Sequence, residues 1–135
     1  MSRTPATPSR TALVTGAGRG VGREIALGLA HHGLAVGLLG RRADTLDEVA
    51  EQVRAEGVDV AVATADVRDA DEVTAAVGSL SSALGPVDLL VNNAGSMDAV
   101  ETGFADAPLD DVLGVVDVTL LGVMRVTHPV LPALR

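Results

Sequence analysis

The chain has 135 residues, a formal net charge of −8 and no cysteine. A chain of this length is expected to form one domain. The acidic balance argues against nucleic acid or anionic lipid as a partner, because both are negatively charged. The lack of cysteine excludes thiol chemistry and fits a cytoplasmic protein. No apolar run is long enough for a membrane span, and residues 1–10 are expected to form a flexible leader, not a secretory signal.

Apolar strand patterns alternate with amphipathic helix patterns along the rest of the chain. The strands are predicted at residues 11–15, 34–39, 58–63 and 87–91. The helices are predicted at residues 21–32, 44–56, about 73–84 and about 109–134, with Pro129 and Pro132 kinking or ending the last one. This alternation predicts right-handed βαβ crossovers and a parallel sheet in one α/β domain, residues 11–135.

A glycine-rich turn joins the first strand to the first helix, in the sequence TGAGRGVG. Gly16 permits a sharp turn, Gly20 leaves room for a pyrophosphate, and Gly22 permits close packing of the helix on the sheet. Backbone amides and the positive end of the helix dipole favour phosphate at such a site. Because the spacing is TGxxxGxG and not GxGxxG, an ordinary glycine-rich turn is the alternative for this segment alone. The predicted phosphate-binding residues are Gly16, Gly18, Arg19, Gly20, Val21 and Gly22.

Two further motifs follow the third and fourth strands. The carboxylate in Asp66-Val67 can accept a hydrogen bond from an adenine amino group, although a turn or helix cap is the better interpretation of that pair alone. The small residues of NNAG leave room for a ribose and nicotinamide at the switch point of the sheet. Asn92 is expected to tie neighbouring strands together. Asn93, Ala94 and Gly95 are predicted to border the cofactor.

TGAGRGVG, Asp66-Val67 and NNAG together resemble the short-chain dehydrogenase/reductase family, in its N-terminal cofactor-binding half. The resemblance covers nearly all of residues 11–135. It implies a Rossmann-type doubly wound sheet, with four of about seven strands in the order 3-2-1-4. It also implies hydride transfer between a nicotinamide cofactor and a small carbonyl or alcohol substrate, with a 3-oxoacyl thioester among the candidates.

The family's proton relay is an asparagine, serine, tyrosine and lysine set, and this chain has no tyrosine and no lysine. Thr119 stands where the family has the asparagine. We therefore predict no catalytic residue and no metal site. The chain is expected to be truncated before the serine, tyrosine and lysine segment, and to be inactive alone.

The cofactor is predicted to be NADP, with NAD as the less favoured alternative. The end of the second strand reads Leu39-Gly40-Arg41-Arg42, without the carboxylate that usually takes the ribose diol of NAD. Arg41 could bind a 2′-phosphate, flanked by Arg19, because guanidinium groups suit phosphate oxygens. Solvated loop charges are the alternative.

A non-catalytic nucleotide-binding or assembly module remains as a second class of function. The fourth strand would be an open apolar edge, and the helix at 109–134 is apolar on most of its circumference. Such a chain is expected to be marginally stable or to need a partner. A homo-oligomer formed through the 109–134 helix is one such arrangement.

Overall fold

The structure, a computed structural model, describes residues 9–96 and 102–134, so most of the expected leader lies outside the described residues. The strands are β1 (Thr11–Thr15), β2 (Ala35–Gly40), β3 (Val60–Thr64) and β4 (Leu89–Val91). The helices are α1 (Gly20–His31), α2 (Ala43–Ala55), α3 (Ala70–Leu84), α4 (Leu109–Val116) and α5 (Gly122–Val130). A π-helical turn (Asp117–Leu121) joins α4 to α5, and a 3-10 turn (Leu131–Leu134) follows α5.

The four strands form one parallel sheet in the order β3-β2-β1-β4, which confirms the predicted fold class and strand order. β1 is central, with Thr11 opposite Ala35 on β2 and Ala12 opposite Leu89 on β4. Because the strands are parallel, the segments that follow β1, β2, β3 and β4 all leave from one edge of the sheet. The motifs identified in the sequence are therefore brought together at that edge.

Helices cover both faces of the sheet. One core lies between the sheet and the pair α1 and α2, and includes Val14, Val36, Leu38, Leu46 and Val53. The other lies between the sheet and the pair α3 and α5, and includes Leu13, Leu39, Val73, Leu80 and Val126. Both cores are aliphatic, so the site-forming edge rests on close-packed strands and helices.

The last helical region is interrupted, whereas the sequence predicted one helix over residues 109–134. The Gly122 amide bonds to the Asp117 carbonyl five residues earlier, which widens one turn into the π form. α5 continues through Pro129 and ends at Val130, where the 3-10 turn begins. Pro129 therefore does not end the helix, and the α-helical part stops two residues before Pro132, which lies in the 3-10 turn. The π turn is a further interruption that the sequence did not predict.

The α4–α5 region is packed on one side and exposed on the other. Gly122, Val126 and Val130 of α5 are buried, whereas α4 has no buried residue. The exposed apolar side chains of this region are Leu109, Leu113, Val116, Leu120, Leu121, Met124 and Leu131. We call this set the exposed apolar face. None of the described helices has the combination of length and hydrophobicity that crossing a bilayer requires.

Candidate functional site

The amino end of α1 is open to an anion. Its N-cap residue Arg19 has an extended backbone and makes no side-chain cap, and the first turn carries no acidic residue. The first amides of the helix therefore have no capping side chain, and the positive end of the helix dipole is not neutralised. Gly20 has a φ of 56°, and a Cβ built there would meet nothing within 4 Å. Gly20 thus provides both the backbone conformation and open space beside it.

Gly22 packs against the glycine-rich turn itself. A Cβ at Gly22 would overlap the Gly16 carbonyl and would lie 2.5 Å from Asn93 Nδ2. The sequence correctly indicated that Gly22 permits close packing, but the near neighbours are the turn and the NNAG loop, not the body of the sheet. Any side chain at residue 22 would push these two segments apart.

The NNAG loop is held to β1 by Thr15, whose side chain is almost completely buried. Thr15 Oγ1 accepts hydrogen bonds from the amides of Asn93 (3.0 Å) and Ala94 (2.9 Å). Asn93 Nδ2 also donates to the Gly16 carbonyl at 3.2 Å. Sequence reasoning missed Thr15, because a threonine at a strand end carries no signal that its hydroxyl reaches a loop 78 residues away.

The sequence suggested that the Asn92 side chain ties neighbouring strands together, but it bonds to a helix instead. Its Nδ2 donates to Thr127 Oγ1 on α5 at 3.1 Å. Asn92 therefore joins the end of β4 to the helix that covers it. The side chain that crosses between strand ends is that of Asn93.

The Asp66-Val67 loop forms a tight turn after β3. Asp66 Oδ1 accepts from the Arg68 amide at 2.9 Å, and Asp66 Oδ2 accepts from the Arg68 guanidinium at 2.7 Å. The bond from Arg68 is the main reason that the pKa of Asp66 lies below its ordinary value, and the charge of Arg41 lowers it further. The Val67 amide donates to none of the described residues. The carboxylate is thus ionised, and an unpaired amide stands beside it.

The two arginines after β2 have different surroundings. Arg42 Nη2 lies 2.6 Å from Asp44 Oδ2, and this bond raises the pKa of Arg42 and lowers that of Asp44. Arg41 is exposed and makes no hydrogen bond or ion pair with the described residues. The first turn of α2 also touches the glycine-rich turn, since a Cβ at Gly18 would lie 2.5 Å from Thr45 Oγ1. The end of β2 is therefore close to the glycine-rich turn.

Thr119 lies in the middle of the π turn with an exposed side chain. His32 Nδ1 lies 2.8 Å from the Gly28 carbonyl at the end of α1. Within residues 9–96 and 102–134, no group of histidine, aspartate or glutamate side chains could hold a metal ion.

A model of the short chain dehydrogenase family matches residues 10–135. The chain belongs to the short chain dehydrogenase family. It is 40% identical over 127 residues to 3-oxoacyl-(acyl-carrier-protein) reductase FabG of Staphylococcus aureus, covering 92% of this chain and 50% of that protein. The chain thus spans half the length of this relative.

Solved structures of family members have the same fold. A variant of actinorhodin polyketide ketoreductase with NADPH has a TM-score of 0.86 and 41% identity, and the match covers 93% of this chain and 47% of that one. Xylitol dehydrogenase with NAD+ has a TM-score of 0.82 and 34% identity, over 90% and 46% of the two chains. Members of this oxidoreductase family therefore bind either nicotinamide dinucleotide, so the family alone does not choose between NADP and NAD.

Proposed function

We propose that the chain is the NADP-binding half of an oxidoreductase that interconverts small carbonyl and alcohol substrates by hydride transfer. The observation that carries the proposal is the open amino end of α1, which lies at the same sheet edge as the loops after β2, β3 and β4. Helix starts of this kind bind phosphate, and such an edge is where doubly wound sheets bind dinucleotides. Cysteine is absent, which agrees with a cytoplasmic location.

The residues at this edge fit the successive parts of a dinucleotide. The uncapped amides of the glycine-rich turn suit the diphosphate, and the ionised Asp66 with the unpaired Val67 amide suits an adenine edge. The nicotinamide, when bound, supplies or accepts the hydride. The proposed cofactor-binding residues are Gly16, Gly18, Arg19, Gly20, Val21, Gly22, Arg41, Asp66, Val67, Asn93, Ala94 and Gly95.

The preference for NADP rests on Arg41. Arg42 already forms an ion pair with Asp44, whereas Arg41 has no partner among the described residues. Arg41 also lies near enough to Asp66 for its charge to lower the pKa of that carboxyl. A guanidinium that is not engaged by a carboxylate can offer its fork to a 2′-phosphate. Arg19, exposed at the N-cap of α1, would flank the same phosphate.

Titration calorimetry with NADPH and NADH tests both parts of the proposal. The wild-type chain should bind NADPH more tightly than NADH. Arg41→Ala should weaken NADPH binding by about tenfold or more and leave NADH binding unchanged, because a charge-assisted phosphate contact contributes about 1.5–3 kcal/mol. Arg42→Ala is the matched control, with a smaller effect. Equal losses for both nucleotides would refute the NADP assignment, and no binding of either would refute the cofactor site.

We further propose that the chain alone binds the cofactor without turning it over. It contains no tyrosine and no lysine, so it lacks the side chains of the family's proton relay. NADPH absorbance at 340 nm with saturating small ketones and 3-oxoacyl thioesters should then stay constant over hours. Steady oxidation of NADPH that depends on the ketone would contradict this proposal and leave the binding proposal intact.

An assembly role is the second candidate, and the exposed apolar face favours it. Seven large apolar side chains lie exposed along α4, the π turn and the residues after them. Exposed apolar surface of this extent is typical of an interaction site. We propose a second copy of the chain as its partner. Light scattering should give a dimer for the wild type and a monomer for Met124→Glu, whereas a wild-type monomer at high concentration would rule out this pairing.

A further inference from the structure

Two residues of α5, Gly122 and Arg125, lie against the Asp66-Val67 loop, which the proposed function places at the adenine end of the cofactor. The first contact is steric: a Cβ at Gly122 would lie 2.8 Å from Val67 Cγ2, so the helix reaches the loop this closely because residue 122 is glycine. The second contact is polar, and Arg125 makes it. Both involve Val67, the residue with the unpaired amide.

Arg125 makes one contact with the loop and two with Asp117 of the π turn. One guanidinium nitrogen, Nη1, donates to the Val67 carbonyl and to the Asp117 carbonyl, both at 3.2 Å. The other, Nη2, lies 2.8 Å from Asp117 Oδ1. The Arg125 side chain is only 24% exposed, so these bonds are partly shielded from water. One planar side chain therefore fixes the loop and the start of the π turn at the same time.

The position of the Val67 carbonyl affects the direction of the Val67 amide and of the Asp66 side chain, because the three groups are covalently connected. The bonds from Arg68 to Asp66 and from the Asp69 amide to the Asp66 carbonyl are local. Local bonds set the shape of a turn but not its position relative to another helix. The contact from Arg125 joins residues 58 positions apart, so it can set that position.

We propose that Arg125 is a positioning residue for the adenine subsite. By holding the Val67 carbonyl, it directs the Val67 amide and the Asp66 carboxylate toward the adenine ring. This inference rests on the proposed function, because it assumes that the loop binds adenine. It assigns a role to a residue of α5 that has no contact with the glycine-rich turn in the hydrogen bonds described.

Fragments of the cofactor separate this role from a general loss of structure. Adenosine 2′,5′-bisphosphate probes the adenine end, and nicotinamide mononucleotide probes the other end. Arg125→Met should weaken binding of the adenosine fragment by about tenfold and change the affinity for the nicotinamide fragment less than twofold. Arg54→Met is the matched control, since Arg54 pairs with Glu51 on the exposed side of α2. Its two fragment affinities should stay at wild-type values.

Hydrogen exchange gives a measurement that needs no nucleotide. The amides of Arg68 and Asp69 bond to Asp66 within the loop, and Arg125→Met should speed their exchange at least about threefold while exchange in β1 stays slow. Arg125→Lys keeps the charge beside Asp117 but loses the planar fork, so its adenosine-fragment affinity should fall between wild type and Arg125→Met. If Arg125→Met does not fold, the lysine variant carries both measurements.

Three results would overturn the proposal. Unchanged fragment affinities and unchanged exchange in a folded Arg125 variant would show that the contact positions nothing. Equal losses for both fragments would assign Arg125 a structural role alone. If the wild type binds neither NADPH nor either fragment, both the proposed function and this inference are wrong. The first two results concern only the Arg125 variants and leave the proposed function intact.

Discussion

Helices α2 and α4 differ in how much of their apolar surface is covered by the rest of the described chain. In α2, the apolar side chains Leu46, Val49 and Val53 are at most 1% exposed, and charged residues face water. In α4, no residue is buried, and Leu113 is 54% exposed. Both helices have a strong apolar pattern, but only the pattern of α2 finds a matching surface on the sheet. An amphipathic pattern therefore predicts that a helix will be covered, without stating what covers it.

The molecule therefore has a closed part, whose helices are well packed, and an open part, whose helices are less so. The closed part contains β1, β2, β3 and the helices α1, α2 and α3, whose apolar sides form most of the two cores, with Val126 and Val130 of α5 completing the second. The open part contains the edge strand β4 and the α4–α5 region. Because short helices gain most of their stability from tertiary packing, the eight residues of α4 should be the least stable helix of the described chain.

Truncation of one leucine on each side tests the division most strongly. Leu46→Ala should reduce the free energy of unfolding by about 3 kcal/mol, because it leaves a cavity in the closed core. Leu113→Ala should reduce it by less than about 1 kcal/mol, because half of this side chain is already exposed. Urea denaturation measures both. A loss at Leu113 as large as that at Leu46 would mean that the exposed apolar face is covered in solution.

Two glycines of α1 test how tightly the closed part is packed. Gly22→Ala should destabilise the fold by about 2 kcal/mol, because the new Cβ would overlap the Gly16 carbonyl and press on Asn93. Gly28→Ala meets nothing within 4 Å and should stabilise the same helix by about 0.5–1 kcal/mol. Thermal unfolding followed by circular dichroism would detect the opposite signs. Equal shifts would indicate that the contact at Gly22 relaxes without cost.

Helix capping gives a smaller difference, between α3 of the closed part and α4 of the open part. Asp69 Oδ1 accepts from the amides of Asp71 and Glu72, both at 3.0 Å, whereas α4 begins after Pro108 without a side-chain cap. Asp69→Ala should cost about 1 kcal/mol in denaturant unfolding. Asp69→Asn should retain most of the stability, because an amide oxygen can accept the same bonds. Equal losses in the two variants would point to charge, not capping, as the cause.

The smallest expected effect concerns the ionised state of Asp66. Its pKa is lowered in the folded protein, so its contribution is present above the unfolded value of about 3.9 and is lost as pH falls through the folded value. Arg68→Ala should therefore reduce stability at pH 7 by about 0.5 kcal/mol, since the pair is partly exposed. The difference from wild type should shrink as the pH falls below the unfolded value and vanish once Asp66 is protonated in the folded protein. A difference that persisted there would assign the effect of Arg68 to packing.

Strand β1 and the glycine-rich turn were predictable because their determinants are local. The strand was placed correctly at Thr11–Thr15 from its apolar pattern. The alternation of strands and helices predicted a parallel sheet, whereas the order of its strands came from the resemblance to the family. The strand predicted at 87–91 begins at Leu89 instead. There the Asp88 carboxylate accepts the Thr11 amide at 2.8 Å, where a strand would have offered a carbonyl. A pattern of apolar residues does not indicate that a side-chain carboxylate will replace a backbone carbonyl as the acceptor.

The features that the sequence did not reveal depend on contacts between distant segments. The π turn adds one residue to a helical turn, and a 3.6-residue period is nearly unchanged by it. Arg125 is only one cation on a mostly apolar helix until the fold places Val67 beside it. For the same reason, Thr15 and Asn93 had to be seen in space before their bond could be assigned.

The bond between Thr11 and Asp88 has a consequence for the order in which the protein is assembled. These residues lie 77 positions apart, whereas Thr11 pairs with Ala35 across a single helix. Closing the longer loop loses more chain entropy, and long-range parallel pairing is slow. On a ribosome, β1 and β2 can therefore join while residue 88 is still unmade. The glycine-rich turn, which is proposed to bind phosphate, would then form first, and the NNAG loop, which is proposed to border the nicotinamide, would be added to it.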